Sequence, residues 1–333
     1  MSSRVWRTSC AVALAGVVAL TSACGSSSGD EGSGGTFSLR IATTLTADSA
    51  GMEALNVLAK DVEADSDGRL KLEVFPDGQL GTEPGTLDQV STGSLDGAQL
   101  STAIVESKVP SVGVIDLPGN FVDTDEALTA LNGPVGQELE KRIEDQRMKV
   151  LAWHTLGFRG LLSTRQVDPL HMDGLKVRVP SSQLYIKTLQ ELGANAVPID
   201  FTEVFTSMQS GVVDAVEASP DILLQFNLDE VAQHFYSTNH LLGLMMLVVN
   251  LDEFNRLPAD LQKILVDNAK SGEEAQWTAT AESTTKSIDS LRSNGVEISD
   301  VDQSSMRELL QPVAETLAQD SDVQDLYEQL KPE

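Results

Sequence analysis

Pro258 opens, and Asn294 with Gly295 closes, one long helical pattern that contains no proline. At about 1.5 Å per residue it is roughly 50 Å long, more than one small lobe can cover. Such a helix either winds into a coiled coil or lies across two domains. Leu261, Leu265, Trp277, Ala281, Ile288 and Leu291 keep helical spacing without holding a heptad, and Gly272 interrupts them. The pattern therefore predicts a helix bridging two lobes, with Pro258 at its first helical position and Gly272 as the place for a kink.

The upstream chain supplies the lobes. Thr36–Thr43 alternates as a strand, and Met52 to Val62 carries helical spacing. Leu70–Phe75 is a second strand, the turn-rich PDGQLG follows, and a helix over Glu83–Ser91 stops at Gly93 before a strand at Gly97–Leu100. The same grammar returns with strands at Val150–His154, Leu161–Ser163 and Lys176–Val179. Ser181 or Ser182 then caps a helix stopped by Gly193, and Val197–Ile199 is extended. A helix over Glu203–Ser210 ends at Gly211, before a buried strand at Val212–Val216. Strands alternating with helices argue for an α/β fold of two lobes, like that of periplasmic binding proteins. The expected division places residues 36–155 with about 244–283 in lobe I, and residues 156–243 with about 284–333 in lobe II. Bending is expected near residues 153 and 243. The tail Gln303–Leu330 reads as helix broken at Pro312.

Residues 1–23 read as a signal segment. Arg4 and Arg7 give a basic start, Cys10–Leu20 is too short to span a bilayer, and Ser22-Ala23 precede Cys24. This looks like a lipobox with Thr21 where leucine is usual, so Cys24 is the expected lipidation site. Residues 24–35 are a Gly/Ser tether. Without the signal segment Cys24 is the sole cysteine, so no intramolecular disulfide forms and the core alone holds the fold.

The formal net charge of −27 repels nucleic acid and anionic lipid headgroups. An anionic ligand must then be held by local positive charge. Ser283-Thr-Thr-Lys286 has S-x-x-K spacing but lies within the long helix without its usual partner motifs. No G-x-S-x-G, Walker or dinucleotide motif occurs, and His154, His171, His234 and His240 lack metal-ligand spacing. Neither an enzymatic activity nor a cofactor is expected.

Positive charge at strand ends remains. Arg178, in GLKVRVP, stands near the carboxyl end of a strand, where open α/β sheets bind ligands. Arg159, in LGFRGLL, lies between two strand-like pieces with Gly157 and Gly160 allowing close backbone approach. An arginine fork matches a carboxylate bidentately. The run from Gly174 to Pro220, PDGQLG, the W-x(5)-R from Trp153 to Arg159 and NLDEFNRLPADLQKIL together resemble the DctP-type solute-binding proteins of TRAP transporters, over about residues 39–325. The resemblance implies that Arg178 salt-bridges a ligand carboxylate, that Arg159 assists, and that Phe201 walls the carbon skeleton. It also implies an extracytoplasmic protein, lipid-anchored at the membrane's outer face, that closes over a small organic acid and delivers it to a two-part permease.

One position departs from the pattern. Ala218 stands where that family often has a ligand-binding asparagine, so Ser219 is expected to substitute, or Glu217 to face the pocket and select hydroxyl or amino groups. Ser181 joins them as a candidate from the same lobe; Thr43, Thr44, Gln99 and Ser101 are expected to donate from the other. The rival readings are an ABC-type or sensor-coupled receptor and a surface-tethered hydrolase. An aromatic content of 5% weakens the case for a sugar receptor, since sugar sites usually stack their ligand on Trp or Tyr.

Overall fold

A computed structural model describes residues 35–320 and 323–330; the expected signal segment, Cys24 and all but the last residue of the tether lie outside the described residues. The strands are β1 Phe37–Ala42, β2 Leu70–Phe75, β3 Gly97–Ser101, β4 Met148–Phe158, β5 Gly160–Ser163, β6 Lys176–Val179, β7 Asn195–Pro198, β8 Ala215–Ala218, β9 His234–Ser237, β10 Leu242–Asn250 and β11 Glu297–Asp300. They form two sheets, ordered β2-β1-β3-β10-β4 and β11-β9-β5-β8-β6-β7. In the first, β1 lies parallel to β2 and β3, while β10 runs antiparallel to β3 and β4. In the second, β6 is parallel to β7 and β8. All nine residues of β10 are buried, as expected for a central strand with both faces covered.

The long helix spans Ala259–Ser293, 35 residues without interruption at Gly272. Leu261, Leu265 and Ala269 pack with Leu39 and Ile41 beneath the first sheet. At the other end Leu291 packs with Leu162 and Val216 of the second. Midway, Trp277 donates from Nε1 to the Trp153 carbonyl at 2.9 Å. The helix thus bridges the two sheets. Pro258 caps it in extended geometry instead of occupying the first turn.

Two crossovers join the sheets, through Arg159 between β4 and β5 and through residues 238–241 between β9 and β10. They are tied to each other: Arg159 N donates to the Leu241 carbonyl at 2.9 Å, and Thr238 Oγ1 to the Arg159 carbonyl at 3.3 Å. Both lie off the expected bending points, because β4 continues past Trp153 to pair Phe158 with Leu242. Gly157 has φ +83°, a left-handed conformation that a side chain disfavours, in the irregular stretch of that pairing. Gly160 earns its place by approach, since a Cβ there meets the Phe235 ring at 2.3 Å.

Two further expectations change. β8 begins three residues late because the Val212 and Val213 amides close the preceding helix on the Ser207 carbonyl; β8 then runs on to Ala218 and draws Glu217 into the sheet. Pro312 does not break the helix Gln303–Asp320. Its ring faces solvent, where water can meet the carbonyl it leaves unpaired. The last helix, Gln324–Leu330, packs on Pro134–Glu144 beside β4.

Candidate functional site

Arg178 lies on β6, one strand in from the edge of the second sheet, paired with Val197 of β7 and Val216 of β8, and is 4% exposed. Its Nε donates to the Ile199 carbonyl at 2.7 Å, and its guanidinium lies 4.7 Å from the centre of the Phe201 ring. Phe201 is braced edge-on by Phe226, the ring centres 4.6 Å apart. Among the described residues no carboxylate pairs with this guanidinium. Burial pulls its pKa down to about 10, against upward pulls from the charges of Glu217, Glu83 and Asp200. The group is therefore a protonated cation at neutral pH, desolvated and without a counter-ion. Uncompensated buried charge is costly, so the arrangement calls for an anion from outside.

Arg159 is equally buried but fully engaged. Glu217 receives its Nε and Nη2 on the two carboxylate oxygens, the latter at 2.9 Å, and Nη2 also reaches the Glu217 carbonyl at 2.9 Å. Burial works against the cation, but the charge and hydrogen bonding of Glu217, with Tyr185 and Asp116, together outweigh it and hold the guanidinium above its ordinary pKa. Glu217 is itself held below the usual carboxylate range: burial pushes it up, and Arg159, then His240, pull it down further. His240 Nε2 stands 3.7 Å from Glu217 Oε2, and His240 Nδ1 lies 2.7 Å from Thr238 Oγ1. The Arg159 guanidinium also lies 5.4 Å from the centre of the Tyr185 ring.

Both arginines line one cavity of about 80 Å³ between the sheets, which Phe201, Ser181, Thr44 and Ser101 also line. Four other candidates stand elsewhere. Glu217 faces Arg159, not the cavity, because a buried carboxylate next to a buried guanidinium is most stable paired. The Ser219 hydroxyl is buried and has no hydrogen-bond partner among the described residues, and Ala218 is buried beside it. Thr43 and Gln99 are consumed in a hydrogen-bond chain: Leu45 N donates to Thr43 Oγ1 at 3.2 Å, Thr43 Oγ1 to Gln99 Oε1 at 3.1 Å, and Gln99 Nε2 meets His154 Nδ1 at 2.9 Å.

Sequence reasoning passed over two acids. Glu83 lines the cavity from the first lobe, its carboxylate gathering Thr44 Oγ1 at 3.1 Å, the Ser101 hydroxyl and the Ser101 amide at 3.3 Å. It is placed by the PDGQLG turn, which folds back so that Gly78 N donates to the Thr43 carbonyl at 3.1 Å and Asp77 N to Leu45 at 2.9 Å. Asp200 lines the cavity beside Phe201. Glu83 was legible as the acid opening a helix after a strand-end loop; Asp200 only as the neighbour of Phe201. Among the described residues no three His, Cys, Asp or Glu side chains are placed to hold a metal ion, and no helix is long and apolar enough to cross a membrane.

Two α/β lobes, a helix spanning them and a buried, unpaired cation in the cleft define a ligand-closing binding protein. The chain belongs to the DctP family, bacterial extracellular solute-binding protein family 7, whose model matches residues 41–320. It is 30% identical to the 2,3-diketo-L-gulonate-binding periplasmic protein of Escherichia coli K12 over 246 residues, 73% of this chain and 75% of that one. Its fold matches the TRAP periplasmic solute-binding protein of Chromohalobacter salexigens with bound D-glucuronate (TM-score 0.84, 26% identity, 88% of this chain and 98% of that one). It also matches the sugar-acid-binding protein of Advenella mimigardefordensis in complex with galactonate (TM-score 0.83, 25% identity, 89% and 99%). Membership makes the chain an extracytoplasmic transport receptor and not an enzyme.

Proposed function

We propose that this protein captures a hydroxylated carboxylic acid of sugar-acid type, anchors its carboxylate on Arg178, closes two lobes over it and delivers it to a TRAP permease. The observation that carries the reading is the Arg178 guanidinium, buried without a counter-ion in the inter-lobe cavity. Arg159, fixed by Glu217, presents its face to the same cavity as the assisting group, and Phe201 walls the carbon skeleton. Glu83, with Thr44 and Ser101, supplies hydrogen-bonding groups for hydroxyls from the opposite lobe. The acids bound by the related proteins, glucuronate and galactonate, have this chemistry.

One charge-assisted hydrogen bond contributes about 1.5–3 kcal/mol, whereas micromolar affinity needs about 8 kcal/mol. Arg178 cannot provide that alone, so closure must bury the ligand and recruit both lobes, a hinge motion. The crossovers at Arg159 and residues 238–241, together with the long helix, are the segments that bend. The crossovers move the expected lobe boundaries to residues 158 and 242, so that lobe I is residues 36–158 with 242 to about 283, and lobe II is residues 159–241 with about 284–320. Lipidation at Cys24 would hold the receptor at the membrane face near its permease.

The test is mass spectrometry of small molecules released from the purified protein, followed by calorimetry with uronates and aldonates on the native chain and Arg178→Ala. A loss of affinity of about 2–5 kcal/mol, or 30-fold and more, is expected. Undiminished affinity in the variant overturns the proposal.

A further inference from the structure

We infer that Asp200 is a specificity residue which accepts a hydrogen bond from the ligand's non-carboxylate end and excludes acids bearing a second carboxylate. The inference rests on the Arg178 anchor proposed above and adds the identity of the ligand's other end.

The cavity holds two acids in different states. Glu83 is already held by the protein, its two oxygens taking the Thr44 and Ser101 hydroxyls and the Ser101 amide. Asp200 has no side-chain hydrogen bond or ion pair among the described residues, although it precedes a short turn whose amides it could cap. The residues on both sides of it are tied to the anchor. Ile199 on one side holds Arg178 through its carbonyl, and Phe201 on the other lies under the guanidinium. An unpaired cation and a carboxylate without a protein partner thus line one cavity.

A ligand satisfies both only if it is anionic at one end and donates at the other. One carboxylate neutralises Arg178, and a hydroxyl donates to Asp200. A second carboxylate in that position faces two negative side chains, Asp200 and Glu83, and like charges at close range repel. Asp200 therefore discriminates by repulsion as well as by attraction.

Aldonates and aldarates of equal length and configuration differ only in a terminal CH₂OH against a second carboxylate. Calorimetry with gluconate and glucarate, galactonate and galactarate, and erythronate and meso-tartrate reads the preference directly. The native protein is expected to favour the aldonate of its best pair at least tenfold. Asp200→Asn is expected to shrink that ratio at least tenfold, chiefly by binding the aldarate better, and Asp200→Ser repeats the measurement should the first variant misfold. Equal binding of both acids by the native protein, or an unchanged ratio in the variants, overturns the inference while leaving the anchor standing. Retention of both acids by Arg178→Ala overturns the anchor instead, and failure of every acid to bind the native chain overturns both.

Discussion

Arg159 and Arg178 are chemically identical, lie in the same cavity wall and are equally shielded from water, yet the fold treats them in opposite ways. Arg159 has a dedicated carboxylate, Glu217, which itself is fully buried. Arg178 has a carbonyl, an aromatic face and no counter-ion. The difference separates two uses of buried charge. A paired charge is part of the architecture, and here it sits at the crossover where the lobes join. An unpaired one is a cost the fold carries until an anion arrives. Stability and affinity should therefore respond in opposite senses at the two sites.

The largest effect is expected at the pair. Glu217→Ala strands Arg159 as a buried cation and should lower unfolding stability by about 3–5 kcal/mol. Arg178→Ala should leave the stability of the ligand-free protein unchanged or slightly raised, while binding is lost. Chemical denaturation of both variants without ligand breaks the comparison if Arg178→Ala proves as destabilising as Glu217→Ala.

Much of this architecture was legible because period and punctuation agreed. The strand alternation at Lys176–Val179 and the length of the Pro258–Gly295 pattern reached the right elements, and with them Arg178 and the bridging helix. What escaped depends on tertiary pairing. Leu242–Asn250 is a run of buried apolar residues, and periodicity cannot tell such a strand from a core helix. The start of β8 hid behind Val212 and Val213, which look like strand residues but close a helix; Glu217 was offered to the pocket because Ala218 stands beside it, and its pairing with Arg159 is a tertiary contact that no local pattern shows. Glu83 and Asp200 are acids in an acidic chain, and only the cavity distinguishes them from the others.

His154 sharpens the contrast with a third response to burial, since it can shed its charge. Its ring is 5% exposed, and burial lowers its pKa to about 4. Below about pH 6.5 the unfolded chain takes up a proton that the folded ring refuses. The unfolded state then binds more protons, so stability falls as pH drops from 6.5 and this contribution is fully lost below about 4. The shift corresponds to about 3 kcal/mol. Denaturant titrations at pH 7, 5.5 and 4.5 should show an acid limb that His154→Gln flattens. Parallel curves for the two proteins would mean that the ring is protonated in the fold.

The smallest effect tests whether a paired charge between the lobes behaves like the one at the crossover. Glu106, at the end of the short helix Thr102–Val105, takes a hydrogen bond from the Ser182 hydroxyl at the start of the helix Gln183–Glu191. Burial raises its pKa, and the Ser182 hydroxyl and Leu184 amide pull it part of the way back. The contact joins the residue after cavity-lining Ser181 to the lobe opposite, so it exists only while the lobes are together. Glu106→Gln keeps the shape and weakens a charge-assisted bond to a neutral one, a change of about 1 kcal/mol. If the contact holds the closed form, that loss appears as severalfold faster ligand release in stopped-flow, with the association rate nearly unchanged. A variant that releases ligand at the native rate would place Glu106 with Arg159 and Glu217, among the charges that hold the fold whether or not ligand is present.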